Sequence, residues 1–190
     1  MSISPRPVNL PFEIGARIFI TNFADDDLAD RIYDSSRDDW SLLSYSQGDY
    51  GSLLNTEVVD LRPLLRGENV PFFEQGLVDR ILKANTYLEE AVHAYMPEFG
   101  IVMRNDHGIQ VYSARGTGIT SCFAPKTDRS SISANLCLSH SIQIFFPVLN
   151  ARLELMFGDI LVVPSQFPHY FSIDANSADP VSFMRKELIE

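Results

Sequence analysis

The chain has 190 residues, a hydrophobic fraction of 45% and a charged fraction of 21%, the balance of a folded globular chain, which excludes low-complexity disorder and collagen-like repetition. With 25 acidic against 15 basic side chains the formal charge is −10, so non-specific attraction to nucleic acid or to anionic lipid is not expected. The length suits one hydrophobic core, and the expected organisation is an extended tail over residues 1–12 followed by a single domain over 13–190.

No apolar run approaches the roughly 18 residues of a membrane helix. Pro5, Pro7 and Pro11 occupy the region where a signal peptide would carry its apolar stretch. Both features predict an intracellular protein, cytoplasmic or part of an intracellular or viral assembly. Cys122 and Cys137 lack CxxC spacing, so neither a disulfide framework nor a structural zinc site is indicated and free thiols are expected.

In chain order, Ala16 to Phe23 reads as the first strand, with Ile18, Phe19 and Ile20 at its centre. Asp25 to Ser36 follows as a short amphipathic helix, its leading aspartates suited to the positive end of the helix dipole. These aspartates lack the alternating oxygen spacing of a calcium loop. Trp40 to Ser44 and Glu57 to Leu61 read as peripheral strands, the second ended by Pro63 and Gly67. From Phe73 to Tyr95, Leu77, Ile81, Leu88, Val92 and Tyr95 form one helical stripe, with Asp79, Lys83 and Glu89 opposite.

After Gly100 the texture changes to short alternating runs. These are Ile101 to Arg104, Ile109 to Ser113, Ile132 to Leu138, Ile142 to Pro147, Arg152 to Phe157, Ile160 to Pro164, His169 to Ile173 and Val181 to Arg185. Turn residues separate them, and Asn105 to Gly108 and the surroundings of Asn150 suit hairpins. The pattern is that of a mainly β, α+β protein built on a sandwich or jelly roll. No internal repeat is visible, which excludes a solenoid or propeller.

Two segments carry what chemistry the sequence offers. Gly158-Asp159 leads through Ile160-Leu161-Val162-Val163-Pro164 to Ser165-Gln166-Phe167-Pro168-His169, an apolar strand and a turn that aim one imidazole across a sheet. Upstream, Tyr112 precedes Gly116-Thr117-Gly118 and then Cys122-Phe123-Ala124. With the order of elements, these segments resemble the Fe(II)- and 2-oxoglutarate-dependent oxygenases of the prolyl-hydroxylase type. The resemblance implies a double-stranded β-helix flanked by an N-terminal short helix and a long helix.

That family holds iron with a His-x-Asp on one strand and a distant His on another, which leaves positions open for oxoglutarate and oxygen. The resemblance puts His169 at the distant histidine, Cys122 at the first histidine and Ala124 at the aspartate. The base that would pair with the remote oxoglutarate carboxylate falls at Ala178 and Asp179; Arg185 lies further along, reachable only if Asp174 to Asp179 is an insertion. A substitute metal site would draw on His169, Cys122 and Asp128, with His107 or His140 swung in from loops. Tyr112 would hydrogen-bond a bound acid in an active relative and is otherwise a core tyrosine on an inner strand.

The remaining candidates have plainer explanations. His140 suits a solvated loop, His107 a hairpin tip and His93 the surface of the long helix. Ser165 lacks a nucleophile elbow, and Gly116-Thr117-Gly118 lacks the rest of a phosphate loop. Two functions therefore stand. One is a non-catalytic binding or assembly component on an oxygenase fold, a pseudoenzyme needing no cofactor and joined to a protein partner or to copies of itself. The other is an atypical hydroxylase using Fe(II) and 2-oxoglutarate on a peptide or small molecule.

Overall fold

The computed structural model describes residues 6–9, 15–37, 43–46, 56–97, 109–114, 118–123, 131–164, 167, 169–173 and 181–189. Its strands are β1 (Arg6–Asn9), β2 (Arg17–Ile20), β3 (Leu43–Ser46), β4 (Thr56–Asp60), β5 (Ile109–Ala114) and β6 (Gly118–Phe123). The later strands are β7 (Ser131–Cys137), β8 (Ser141–Phe146), β9 (Ala151–Met156), β10 (Ile160–Pro164), β11 (His169–Ile173) and β12 (Val181–Ile189). Among the described residues, three helices precede β5: α1 (Leu28–Ser36), α2 (Arg62–Leu65) and α3 (Gln75–Tyr95).

The strands form an eight-stranded sheet in the order β1-β2-β10-β7-β12-β5-β4-β3 and a four-stranded sheet in the order β6-β11-β8-β9. Every pairing is antiparallel. Successive strands from β5 onward alternate between the two sheets or return across them, the winding of a jelly roll. Edge position explains how β1 tolerates Pro7, which has no N–H to give to a ladder.

Two apolar layers hold this arrangement. Leu28 and Ile32 of α1 and Leu77, Ile81, Leu88 and Val92 of α3 pack on Ala134, Leu136, Ile160, Val162 and Met184 of the eight-stranded sheet. On the other side of the same strands, Cys137, Leu161, Val163, Val181 and Phe183 meet Ile142, Ile144, Phe146 and Leu155 of the four-stranded sheet. Alternation along β7, β10 and β12 therefore buries both faces, and each fully buried aliphatic side chain contributes about 1.5–3 kcal/mol.

The α1 and α3 positions agree with the apolar stripes in the sequence, with α1 starting later than Asp25. Arg80 of α3 binds the carboxylates of Asp25 and Asp27, so the acidic run before α1 fastens one helix to the other. That contact holds the Asp25 carboxyl below its ordinary range. Three elements were not visible in the sequence: Arg6–Asn9, expected as part of an extended tail, pairs with β2 as strand β1. Pro63 does not stop a strand but sits in the first turn of α2, where no backbone N–H is required of it, and Gly118 to Phe123 forms β6. The expected strand Ile101 to Arg104 and the hairpin at Asn105 to Gly108 lie outside the described residues. Among the described residues no helix is long and apolar enough to cross a membrane.

Candidate functional site

The turn joining β9 to β10 sets the position of everything after it. Gly158 has φ +82°, and a Cβ there would lie 3.1 Å from the carbonyl oxygen of Phe23, so only glycine fits without displacement. Its carbonyl accepts a 2.7 Å hydrogen bond from Thr21 Oγ1, and its N–H donates to the Cys137 carbonyl. Strand β10 then runs with Ile160, Leu161, Val162 and Val163 all buried. The chain turns, and His169 opens β11.

His169 is 0% exposed and its ring lies 5.9 Å from that of Phe146, a residue of the layer between the sheets. Its Nδ1 is 3.0 Å from the carbonyl oxygen of Phe167. A carbonyl can only accept, so Nδ1 carries the hydrogen and Nε2 bears the lone pair. Burial, helped by the positive charge of Arg185, pushes the imidazole pKa down to about 3. The ring is neutral at physiological pH.

Arg185 is the second polar group of this interior. On β12, Val181 and Phe183 face the four-stranded sheet and Met184 faces the helices, so Arg185, 4% exposed, points inward. Its pairs across the ladder are Gln110 on β5 and Asn135 on β7. Asn135 is fully buried, and its Nδ2 donates to Ser133 Oγ at 3.3 Å and to the Leu161 carbonyl at 3.4 Å. Ser133, Asn135 and Arg185 thus give the eight-stranded sheet a polar strip on its inner face. The sequence offered one signal for the strip, small polar residues alternating with Ala134 and Leu136. Because both faces of β7 are buried, that signal did not say which face was which.

Lys186, the next residue, points the other way. It is 1% exposed, and its Nζ donates to Asn85 Oδ1 at 2.8 Å and to Glu89 Oε1 at 2.5 Å on α3. Consecutive cations on β12 therefore serve opposite layers.

The other candidates fall as follows. In the ladder between β6 and β11, Phe123 pairs with His169 and Cys122 with Tyr170. Directly paired residues share a face, so position 123 falls in the row of His169 and position 122 in the alternate row. Tyr112 pairs with Phe183, which puts position 112 in the inner row. Ala124, Asp128, His107, Ser165, Ala178 and Asp179 lie outside the described residues. His140 and His93 are exposed, away from the interior. Cys137 is a buried free thiol beside the Ser139 carbonyl, its pKa pushed up to about 12 by burial. Among the described residues no group of His, Cys, Asp and Glu of metal-binding size occurs.

Comparison with known proteins places this architecture. No family model matches the chain, and no curated protein matches it. Among solved structures, a Pseudomonas putida prolyl-4-hydroxylase superposes with a TM-score of 0.60 at 13% identity, covering 94% of both chains. The epimerase SnoN, solved with Fe3+, alpha-ketoglutarate and nogalamycin RO, gives a TM-score of 0.57 at 11% identity over 93% of this chain and 79% of its own. The viral collagen prolyl hydroxylase of Paramecium bursaria Chlorella virus-1, solved with 2-oxoglutarate, gives 0.54 at 11% identity over 90% and 94%. The fold is therefore that of the iron- and 2-oxoglutarate-dependent oxygenases, as the sequence resemblance implied.

Proposed function

We propose that this chain is a non-catalytic member of the oxygenase fold, a binding or assembly component that needs neither iron nor 2-oxoglutarate. The observation that carries the proposal is the lack of a histidine or carboxylate in the row of β6 that pairs with His169. Arg185, charged at every physiological pH, also bears electrostatically on His169, the one histidine the resemblance matched to the iron site. A divalent cation on Nε2 would be opposed by that charge in a medium of low dielectric.

An iron site of this fold needs a histidine and a carboxylate spaced i, i+2 on the strand beside β11. By sequence correspondence those positions are Cys122 and Ala124; by ladder register the row of His169 runs through Ser121 and Phe123. Neither assignment supplies a histidine or a carboxylate, so the residues present do not fit the group. Leu161, Val163, Phe183, Ile144 and Phe146 fill much of the space between the sheets, a packed interior suited to rigid scaffolding.

Two observations favour the second function, an atypical hydroxylase: the inward, buried Arg185 is a base that could pair with an oxoglutarate carboxylate, and the imidazole stands in a ligating tautomer. The hydrogen bond from Nδ1 to the Phe167 carbonyl fixes the tautomer in which Nε2 is free of hydrogen, the form a metal ligand needs. In that case Cys122 and Asp128 would join His169 as substitute ligands, and Tyr112 would hydrogen-bond the bound acid.

Anaerobic addition of Fe(II) and 2-oxoglutarate, followed by oxygen and assay of succinate, separates the two. The proposal predicts no visible charge-transfer band and no succinate above a protein-free control. A saturable band with turnover that is lost in His169→Ala would establish the hydroxylase instead.

A further inference from the structure

Strand β9 closes one side of the four-stranded sheet, pairing among the described residues only with β8. The N–H of Phe157 donates to the His140 carbonyl, which fixes the parity of this ladder. Counting back from it, residues 155, 153 and 151 turn their backbone groups toward β8, and residues 156, 154 and 152 turn theirs toward the open edge. At Met156 those groups are already taken, the N–H by Asp159 Oδ2 and the carbonyl by the Asp159 N–H. Among the described residues, nothing pairs with the outward backbone groups of Arg152 and Glu154.

We propose that the partner at this edge is a second copy of the same chain, joined antiparallel about a two-fold axis through Leu153. Three features of the strand fit that one arrangement. First, the axis sets Arg152 opposite the partner's Glu154 and Glu154 opposite the partner's Arg152, so each charge meets its opposite. Moving the axis to Glu154 would instead place like carboxylates face to face. Second, the residues brought opposite each other are the ones whose N–H and C=O groups face outward, so the backbone bonds and the charge pairs share one register.

Third, the exposed apolar side chains lie at the two ends of β9. Val148 is 72% exposed and Leu149 37% at the turn before the strand, and Met156 is 46% exposed at its end. The two-fold brings the turn of one copy alongside the partner's Met156 at both ends. Arg152 already lies over the Phe145 ring, 5.9 Å from its centroid, which holds its guanidinium along the sheet surface. The union makes one continuous sheet from two and removes an open edge from each copy. It does not depend on whether the interior binds a metal.

The test reads assembly and is independent of activity: sedimentation velocity on the full chain and on Glu154→Arg, Arg152→Glu and the doubly exchanged protein, each checked for native circular dichroism. Every substitution acts at both symmetry-related contacts, so a single charge reversal should weaken the dimer about tenfold or more. The double exchange should restore the dimer to near the original affinity. A chain that stays monomeric at high concentration would overturn the proposal, as would a dimer indifferent to both single reversals.

Discussion

The Nδ1 of His169 and the carbonyl oxygen of Phe167 lie 3.0 Å apart, a contact that fixes which nitrogen carries the hydrogen, while burial and the nearby Arg185 keep the ring neutral. Its pKa is about 3 in the folded protein and about 6.5 in an unfolded chain. Above pH 6.5 neither state protonates, and the residue imposes no penalty. As the pH falls from 6.5 toward 3 the unfolded chain takes up a proton that the folded one refuses, so stability is lost at up to about 1.4 kcal/mol per pH unit. Urea unfolding at pH 6.5 and 4.5 should show a loss from this residue on the order of 2–3 kcal/mol, and His169→Gln should lack that part of the loss.

Arg185 contributes to the same depression. Its replacement by methionine should raise the His169 pKa toward the ordinary imidazole value, with the shift read from the ring carbon proton by NMR. An unchanged titration would mean that the guanidinium does not bear on the ring.

Lys186 anchors α3 to the sheet through Asn85 and Glu89. Truncation to alanine removes the cation and leaves a cavity beside a half-buried carboxylate, so Lys186→Ala should lower the unfolding free energy by about 3 kcal/mol. Lys186→Met keeps the stem and should lose less. The double variant with Glu89→Gln should fall short of additivity, because the two groups share one contact.

Gly158→Ala tests the turn that positions β10 and β11. A left-handed backbone and a 3.1 Å approach to the Phe23 carbonyl together should cost about 1–3 kcal/mol, visible as a lower midpoint in thermal or urea unfolding.

The long helix and the strands from β7 to β12 were legible in the sequence because their apolar residues recur at helical or strand spacing, as Leu77, Ile81 and Leu88 do on α3. Strand β6 was not. Gly118, Thr120 and Ser121 give it little apolar pattern, and its strand character comes from pairing with β11, a contact between distant parts of the chain. His169 was found because an apolar strand and a turn lead to it. Arg185 was not assigned to the interior, since β12 is buried on both faces and its adjacent cations, Arg185 and Lys186, read alike until the ladder separates them.

The central claim, that this interior does not take a divalent cation, is tested most directly by titrating the isotope-labelled protein with Mn(II) and following the His169 ring resonances. The account predicts no selective paramagnetic broadening at His169 beyond that of exposed His93 and His140. Saturable broadening centred on His169, reversed by a chelator, would contradict it.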